Sequence, residues 1–461
     1  MHIGIDFGTS YSAAATYRNG TLEIIRFGDS AQFRTAVFFP EVVPDPNDFM
    51  LTPALEAEVE AQARDLRTQQ RQFGGAERSD DALRRDAVRL VRRQWLEERA
   101  RNSPTATLES FQHALFGDEA VDAYLEYGDG NLIESPKSML GFRMDPQVRR
   151  VIVHIATHIL EHIRLTASRQ LGEAVRSAVI GRPVQFRSSM GERGSEQAVE
   201  LLREAAAVAG FDEVSFLEEP AAAAMHYHKS LTTRQRALIV DIGGGTTDVA
   251  FAELGGGQHP EITRSWGLPK GGTDLDVNLS VHAFMPLLGN NIAKVPVHHF
   301  VEAASVHNLP KQREFRKQDY RLVDEPWQSR LRNLQKPGAT TRLNQEAERT
   351  KILLSADTAH HSDLSFLEAG LGADTTQPEL IEAISPFINR LKRTLDDVRG
   401  DLSNTDTAAS VFLTGGTSRS PAVQAAVRES FPEIELVKGD PSLGVVSGLA
   451  VAAAELDGMP P

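Results

Sequence analysis

With 461 residues, 41 % apolar and 24 % charged, the chain has the composition of an ordinary soluble globular protein and room for two or more domains with proper cores. Its 49 Lys and Arg against 63 Asp and Glu leave a formal charge of −14, which argues against broad binding to nucleic acid or anionic membrane, since both need a basic face. Zero cysteines exclude disulfides, thiolate metal sites and a cysteine nucleophile; no apolar run approaches the ~20 residues of a membrane span and no signal-peptide pattern opens the chain, so a cytoplasmic protein is expected.

The chain begins with Ile3 to Thr16, IGIDFGTSYSAAAT, which reads as two strands joined by a turn that starts at Gly8. A second strand pair is expected around Leu22–Phe27 and Ala36–Phe39, ended by Pro40, Pro44 and Pro46. From Thr52 to Asn102 charges of both signs alternate, and Leu83, Ala87, Val91 and Trp95 recur at helical spacing. That pattern predicts solvated amphipathic helices broken near Gly74-Gly75, either a partner-docking arm or a salt-bridged insertion. Asn131 to Phe142, NLIESPKSMLGF, places Lys137 after a proline. Asp145-Pro146 then starts a helix to about Leu171 that carries His154, His158 and His162. The outer two lie about 12 Å apart along the axis, too far for one metal ion, so a packed or solvated stripe is expected.

A strand over Val175–Ile180 ends at Gly181-Arg182-Pro183. A helix over about Ser195–Ala209 stops at Gly210, a strand follows over Val214–Leu217, and Glu218-Glu219-Pro220-Ala221 starts an alanine-rich helix. Next comes Leu238 to Phe251, LIVDIGGGTTDVAF. Its two apolar runs read as strands, and Gly243, Gly244 and Gly245 free the turn between them to take positive φ and direct N–H groups at an anion. Thr246 and Thr247 add hydroxyls. Asp241 and Asp248 flank a turn suited to phosphate, which makes sense if a hard cation such as Mg²⁺, bound mostly through waters, sits between. Asp6 and Gly8 stand in the first hairpin as Asp241 and Gly243 do in the second. The match implies a duplicated α/β fold with a nucleotide phosphate clamped between its halves.

Pro286 to Thr341 is less readable and is expected to be a variable surface insertion; His298 and His299 there lack convincing further ligands. Glu346 to Ala356, EAERTKILLSA, is helical, with Glu348, Lys351 and Ser355 on one face. By spacing alone that is an exposed ion-pairing stripe. Val411–Leu413 is a strand, Thr414-Gly415-Gly416-Thr417 a turn, and Ser420-Pro421 a helix start, a natural seat for a nucleotide.

Together these motifs resemble the ATPase superfamily of actin, sugar kinases and the DnaK-type heat-shock chaperones, most of all the chaperones and their divergent YegD-like branch. The resemblance implies a duplicated actin-like, ribonuclease H-like fold of two lobes, each with a core and an inserted subdomain, and ATP or ADP with Mg²⁺ in the cleft. Lobe I would span 1–230, with a helical insertion at about 52–115 and completion by 440–461. Lobe II would span 231–439, with a peripheral subdomain and insertion at about 277–382. By the same resemblance Asp6 and Asp241 hold Mg²⁺ through water. Gly8, Thr9, Ser10 and Tyr11 line the phosphates, as do Gly243, Gly244, Gly245 and Thr246. Lys137 orients the γ-phosphate and attacking water, which Glu219, Asp241 and Asp248 help to hold. Pro183 falls at the proline that couples nucleotide state to the rest of the molecule. Gly271-Gly272-Thr273-Asp274-Leu275-Asp276 resembles the chaperone Gly-Gly-x-Asp-x-Asp segment, with Gly272 near the nucleotide. The resemblance turns Glu348, Lys351 and Ser355 into ribose and adenine contacts, and Gly415, Gly416 and Arg419 into the last adenosine motif.

The sequence departs from the chaperone pattern at Ser138, where an arginine is usual, and at Ser442, where an aspartate is usual. No counterpart of the hydrophobic linker and peptide-binding domain follows Gly444–Gly448. The expectation is therefore a monomeric, weakly hydrolysing, chaperone-like ATPase made of the nucleotide-binding domain, acting on an unknown protein partner or client. An actin-like filament-forming ATPase, a small-molecule kinase or phosphatase of the same superfamily, and a nucleotide-binding scaffold that barely hydrolyses ATP are the alternatives.

Overall fold

The computed structural model describes residues 1–18, 20–39, 51–73, 79–102, 114–127, 130–144, 146–402, 407–439 and 442–458. Pro40, Pro44, Pro46, Gly74, Gly75 and Asp145, which mark breaks in the sequence, lie outside the described residues. The chain divides into two compact units, one of residues 1–38, 115–128 and 132–461, the other of 39–114 and 129–131.

The larger unit contains one sheet topology twice. In the first sheet the neighbours run Thr21–Ile24, Tyr11–Arg18, His2–Phe7, Ser177–Arg182, Glu213–Glu218, with Phe33–Arg34 also paired to Tyr11–Arg18. In the second they run Glu261–Leu268, Thr247–Leu254, Gln235–Ile242, Ser410–Thr414, Glu435–Lys438. Each sheet joins three antiparallel strands to two parallel ones, in the same order. This is the duplicated α/β fold expected from the paired motifs.

The apolar run at 238–242 is continuous because its strand is covered on both faces. Leu238, Val240 and Ile242 pack with Leu391 and Phe387 of helix Gln377–Asp401. Ala237 and Ile239 point the other way, toward Ala222 and Ala223 of helix Glu219–His228. A second alanine-rich helix, Gly444–Leu456, returns to the first sheet and sets Val446 and Ala450 against Ala13 and Ala15. Each of these helices therefore follows the last strand of one sheet and packs on the other. They meet backbone to backbone: a Cβ on Gly448 would lie 1.6 Å from the Ala222 carbonyl oxygen.

One sequence expectation changes. Ala36–Phe39 does not pair with Thr21–Ile24; it joins Leu115–Phe116 and Asn131–Glu134 in a small separate sheet. Residues 286–341, less readable in the sequence, fold as part of a helical subdomain with a core of its own. Helices Val297–Ala304, Leu309–Lys317, Trp327–Leu334 and Ala339–Leu353 enclose a core that includes Phe284, Phe300, Phe315, Leu331 and Leu343. The residues that fill this core are spaced too irregularly within short helices for periodicity to reveal them. In the smaller unit, helices Pro53–Phe73 and Asp80–Asn102 pack through Val59, Ala63, Ala87 and Val91. Among the described residues no helix is long and apolar enough to cross a membrane.

Candidate functional site

The two glycine-containing hairpins match residue for residue. Phe7 pairs with Ser12 and Ile242 with Thr247, so each turn holds the same number of residues, Gly8–Tyr11 in one and Gly243–Thr246 in the other. Asp6 faces Ala13, whereas Asp241 directly faces Asp248. Two carboxylates opposed in an antiparallel pair repel, so the second hairpin carries an electrostatic cost that a ligand or cation can relieve.

The turns touch each other. A Cβ on Gly244 would lie 2.2 Å from Ser10 Oγ, and one on Gly245 would lie 2.3 Å from Thr9 Oγ1. Gly243, Gly244 and Gly245 do not adopt positive φ, contrary to the sequence expectation. Gly244 and Gly245 are required for close approach instead. Positive φ occurs at Gly415, φ 82°, where a Cβ would lie 2.5 Å from Asp241 Oδ1.

The carbonyls of the second turn are anchored. Gly243 O accepts from Gly272 N at 2.9 Å and Thr417 Oγ1 at 3.0 Å; Gly244 O accepts from Thr273 N at 2.8 Å. Gly245 O accepts from Arg187 Nε at 2.7 Å. In a trans peptide C=O and N–H point oppositely, so these anchors direct the N–H groups of Gly244, Gly245 and Thr246 the other way. Those three N–H groups donate to nothing among the described residues.

Between the hairpins lies a cavity of about 510 Å³, within the size range of small-molecule sites. Its lining includes Asp6, Gly8, Thr9, Ser10, Tyr11, Lys137, Glu219, Asp241, Gly243, Gly244, Gly245, Thr246, Gly272, Glu348, Lys351, Ser355, Gly415, Gly416 and Arg419. Asp248 is the candidate that does not line it; buried behind, its Oδ1 accepts from Val184 N at 2.7 Å, next to the buried Pro183. Gln32, Asp276, Ile352, Thr417 and Ser442 line the cavity without having been singled out as site residues. Asp276 was legible as the last acid of its motif, Thr417 as part of the last glycine turn and Ser442 as a departure from the chaperone pattern; Gln32 and Ile352 carry no chemical signature at their spacing.

Lys137 arrives on a 3₁₀ turn, Pro136–Met139, entered through Ser135 in a left-handed conformation at φ 54°. A non-glycine residue there costs energy that the surroundings must hold in place. The Ser135 N–H donates to Thr35 O at 3.0 Å, and Ser138 Oγ donates to Ser135 O at 2.7 Å. Lys137 Nζ forms a buried ion pair with Glu219, the first residue of its helix. Burial opposes the lysine's charge, but Glu219 and Asp6 outweigh it and hold its pKa above the ordinary value. Burial and then Glu219 raise Asp6 to about 7 and Asp248 to about 8, and burial, Glu219, Asp248 and Asp6 push Asp241 well up.

Three buried carboxylates, Glu219, Asp241 and Asp248, with the part-buried Asp6 beside them, leave the surroundings of Lys137 short of positive charge. Asp241 Oδ1 is buried with no hydrogen-bond partner. Hard oxygen donors with an unmet acceptor fit a hydrated divalent cation. Among the described residues no group of three or more His, Asp or Glu side chains forms a direct metal site. His154, His158 and His162 form no such group either; His162 stacks on Phe116 at 4.3 Å and touches Phe27 and Phe33.

At the other end of the cavity, Lys351 Nζ pairs with Asp276 at 2.7 Å and Glu348 accepts from Arg34 at 3.0 Å. Arg34 also lies over the Tyr11 ring at 5.3 Å and donates to its hydroxyl at 3.2 Å. Arg419 donates to Ser442 Oγ at 2.7 Å. Glu348 and Lys351 are thus not an exposed stripe.

The family described as Hsp70 protein matches residues 138–289 and 324–460. The chaperone protein DnaK of Nitrosopumilus maritimus (strain SCM1) is 30 % identical over 315 residues, covering 66 % of this chain and 42 % of that protein. The chaperone protein dnaK of Guillardia theta is 27 % identical over 314 residues, with the same 66 % and 42 % coverage. The chain therefore spans less than half the length of these relatives. The paired hairpins, the shared cleft and the extent of the family match lead to one conclusion: the chain belongs to the Hsp70 family and has its actin-like ATPase fold.

Proposed function

We propose that the chain binds ATP and ADP with Mg²⁺ in this cavity, hydrolyses ATP slowly, and uses nucleotide state to govern closure of its two halves and binding of a protein partner or client. The observation that carries this reading is the pair of register-matched hairpins, with free N–H groups on one turn, beside a buried Lys137–Glu219 pair. Phosphoryl transfer to water asks mainly for charge compensation and an aligned nucleophile.

The N–H groups of Gly244, Gly245 and Thr246 and the hydroxyls of Thr9 and Ser10 would bind phosphate oxygens. Gly8 and Gly243, which open the two turns, give the phosphates room, and Tyr11 borders them. Mg²⁺, held by Asp6 and Asp241 through its waters, would neutralise phosphate charge. Lys137, kept charged by its neighbours, orients the γ-phosphate, and Glu219 and Asp241 hold the attacking water; Asp248, which does not line the cavity, acts on them from behind through its charge rather than by contact with that water. Glu348, Lys351 and Ser355 would contact ribose and adenine; Arg419, steadied by Ser442, would stack on the base beside Gly415 and Gly416, with Gly272 close by.

The test is nucleotide binding by calorimetry together with phosphate release. Lys137→Ala is expected to keep ADP affinity within roughly tenfold and to cut turnover by about a hundredfold or more, as for loss of a transition-state contact. Unchanged turnover removes Lys137 from its role. Failure of the wild-type chain to bind ADP with Mg²⁺ overturns the reading.

A further inference from the structure

Arg187 stands outside the cavity and belongs to none of the motifs, yet it holds the phosphate-facing turn from behind. It lies on the segment after Pro183, carried out of the first sheet by strand Ser177–Arg182 and laid against the second. A Cβ on Gly267, in strand Glu261–Leu268, would lie 2.8 Å from the Gln185 Cβ, so this segment runs hard against that sheet. The Arg187 side chain is 11 % exposed.

Its guanidinium uses three nitrogens. Nε donates to Gly245 O at 2.7 Å; Nη2 reaches Thr273 Oγ1 at 3.2 Å and pairs closely with Asp274; Nη1 lies 3.3 Å from His307 Nε2. Asp274 is fixed in turn by Lys270 Nζ at 2.8 Å and by the Gly271 N–H at 3.0 Å. The planar fork is therefore locked, and a locked fork places one donor with little freedom.

Gly243 O and Gly244 O are held by groups of their own half, Gly272, Thr273 and Thr417. Gly245 O is held by Arg187, the one side chain among these anchors that comes from the segment following the first sheet. Fixing that carbonyl fixes the plane of the 245–246 peptide, and so the direction of the Thr246 N–H.

We infer that Arg187 is a positioning residue for phosphate binding: by anchoring the Gly245 carbonyl across the two halves it orients the turn, and so sets the phosphate-dependent part of nucleotide affinity without touching the nucleotide. This rests on the nucleotide reading above.

The experiment compares ADP with adenosine, both with Mg²⁺, on the wild-type chain, Arg187→Ala and Arg187→Gln. Arg187→Ala is expected to weaken ADP about tenfold while adenosine stays within about twofold. Arg187→Gln, which keeps an N–H donor, recovers part of the loss. An adenosine affinity that falls by the same factor as ADP in both variants marks a general structural role and overturns the inference, as does an ADP affinity that neither variant changes. Should Arg187→Ala fail to fold by thermal melting, the Arg187→Gln ratio decides alone. If the wild-type chain binds neither ligand, the nucleotide reading falls and takes this inference with it; if it binds both and the variants do not separate them, only the inference falls.

Discussion

Glu134 ends the strand just before the Ser135 turn and lines a small chamber beside the cavity, with Arg34, Asp276 and Glu348 around it. Burial raises its pKa to about 7; Arg34 works against the rise and Glu348 adds to it. An unfolded glutamate ionises near 4.3. Between those values the folded chain holds a proton that the unfolded chain has lost, so this residue's contribution to stability falls as pH rises from about 4 to about 7 and is constant above. Glu134→Gln removes the titration while keeping the shape. Its melting temperature is expected to exceed the wild type's by roughly 1–2 °C at pH 8, the shift that about 1 kcal/mol produces in a unit as large as the one that holds Glu134, and by much less at pH 5. A gain equal at both pH values would show that the carboxyl is not protonated as described.

Among elements, the contact between helices Glu219–His228 and Gly444–Leu456 is the most demanding, because Gly448 meets the backbone of Ala222. A side-chain rotation cannot make room for a methyl against a carbonyl oxygen. Gly448→Ala is expected to cost about 3 kcal/mol or more, the upper range for overpacking, read as a lowered denaturation midpoint with unchanged slope. A variant as stable as the wild type would mean the helices do not cross so closely. Local chemistry made the hairpins and the helix starts legible, because carboxylate, glycine and proline signals act within a few residues; Lys137 and Glu219 were marked only by the resemblance to the chaperones. The helix crossing, the Arg34–Glu348 pair and the Arg187 anchor were hidden for the opposite reason: their partners lie far along the chain. The glycines show the boundary well. The sequence marks Gly244 and Gly245 as special but not whether φ or space demands it, and the answer is space.

For the whole molecule, the cavity draws on both sheets and on the helical subdomain, so a ligand that binds there stabilises all three against unfolding together. At a hundredfold excess over its dissociation constant a ligand adds about 2.7 kcal/mol. On the proposed function, ADP with Mg²⁺ should raise the melting temperature by several degrees, and the rise should grow with the logarithm of ADP concentration. Magnesium should matter more than its own weak binding suggests. Burial and mutual repulsion already raise the pKa values of Asp6 and Asp241, which line the cavity, so this site resists added negative charge, and without a cation the phosphates of ADP add to that repulsion. ADP in excess chelator should therefore give a small shift or none, while adenosine, which carries no phosphate, should stabilise the chain equally with and without Mg²⁺. Thermal melts of the four combinations test this directly. A Mg²⁺-independent ADP shift would remove the metal from the site, and an adenosine shift that needs Mg²⁺ would place the cation at the wrong end of the cavity.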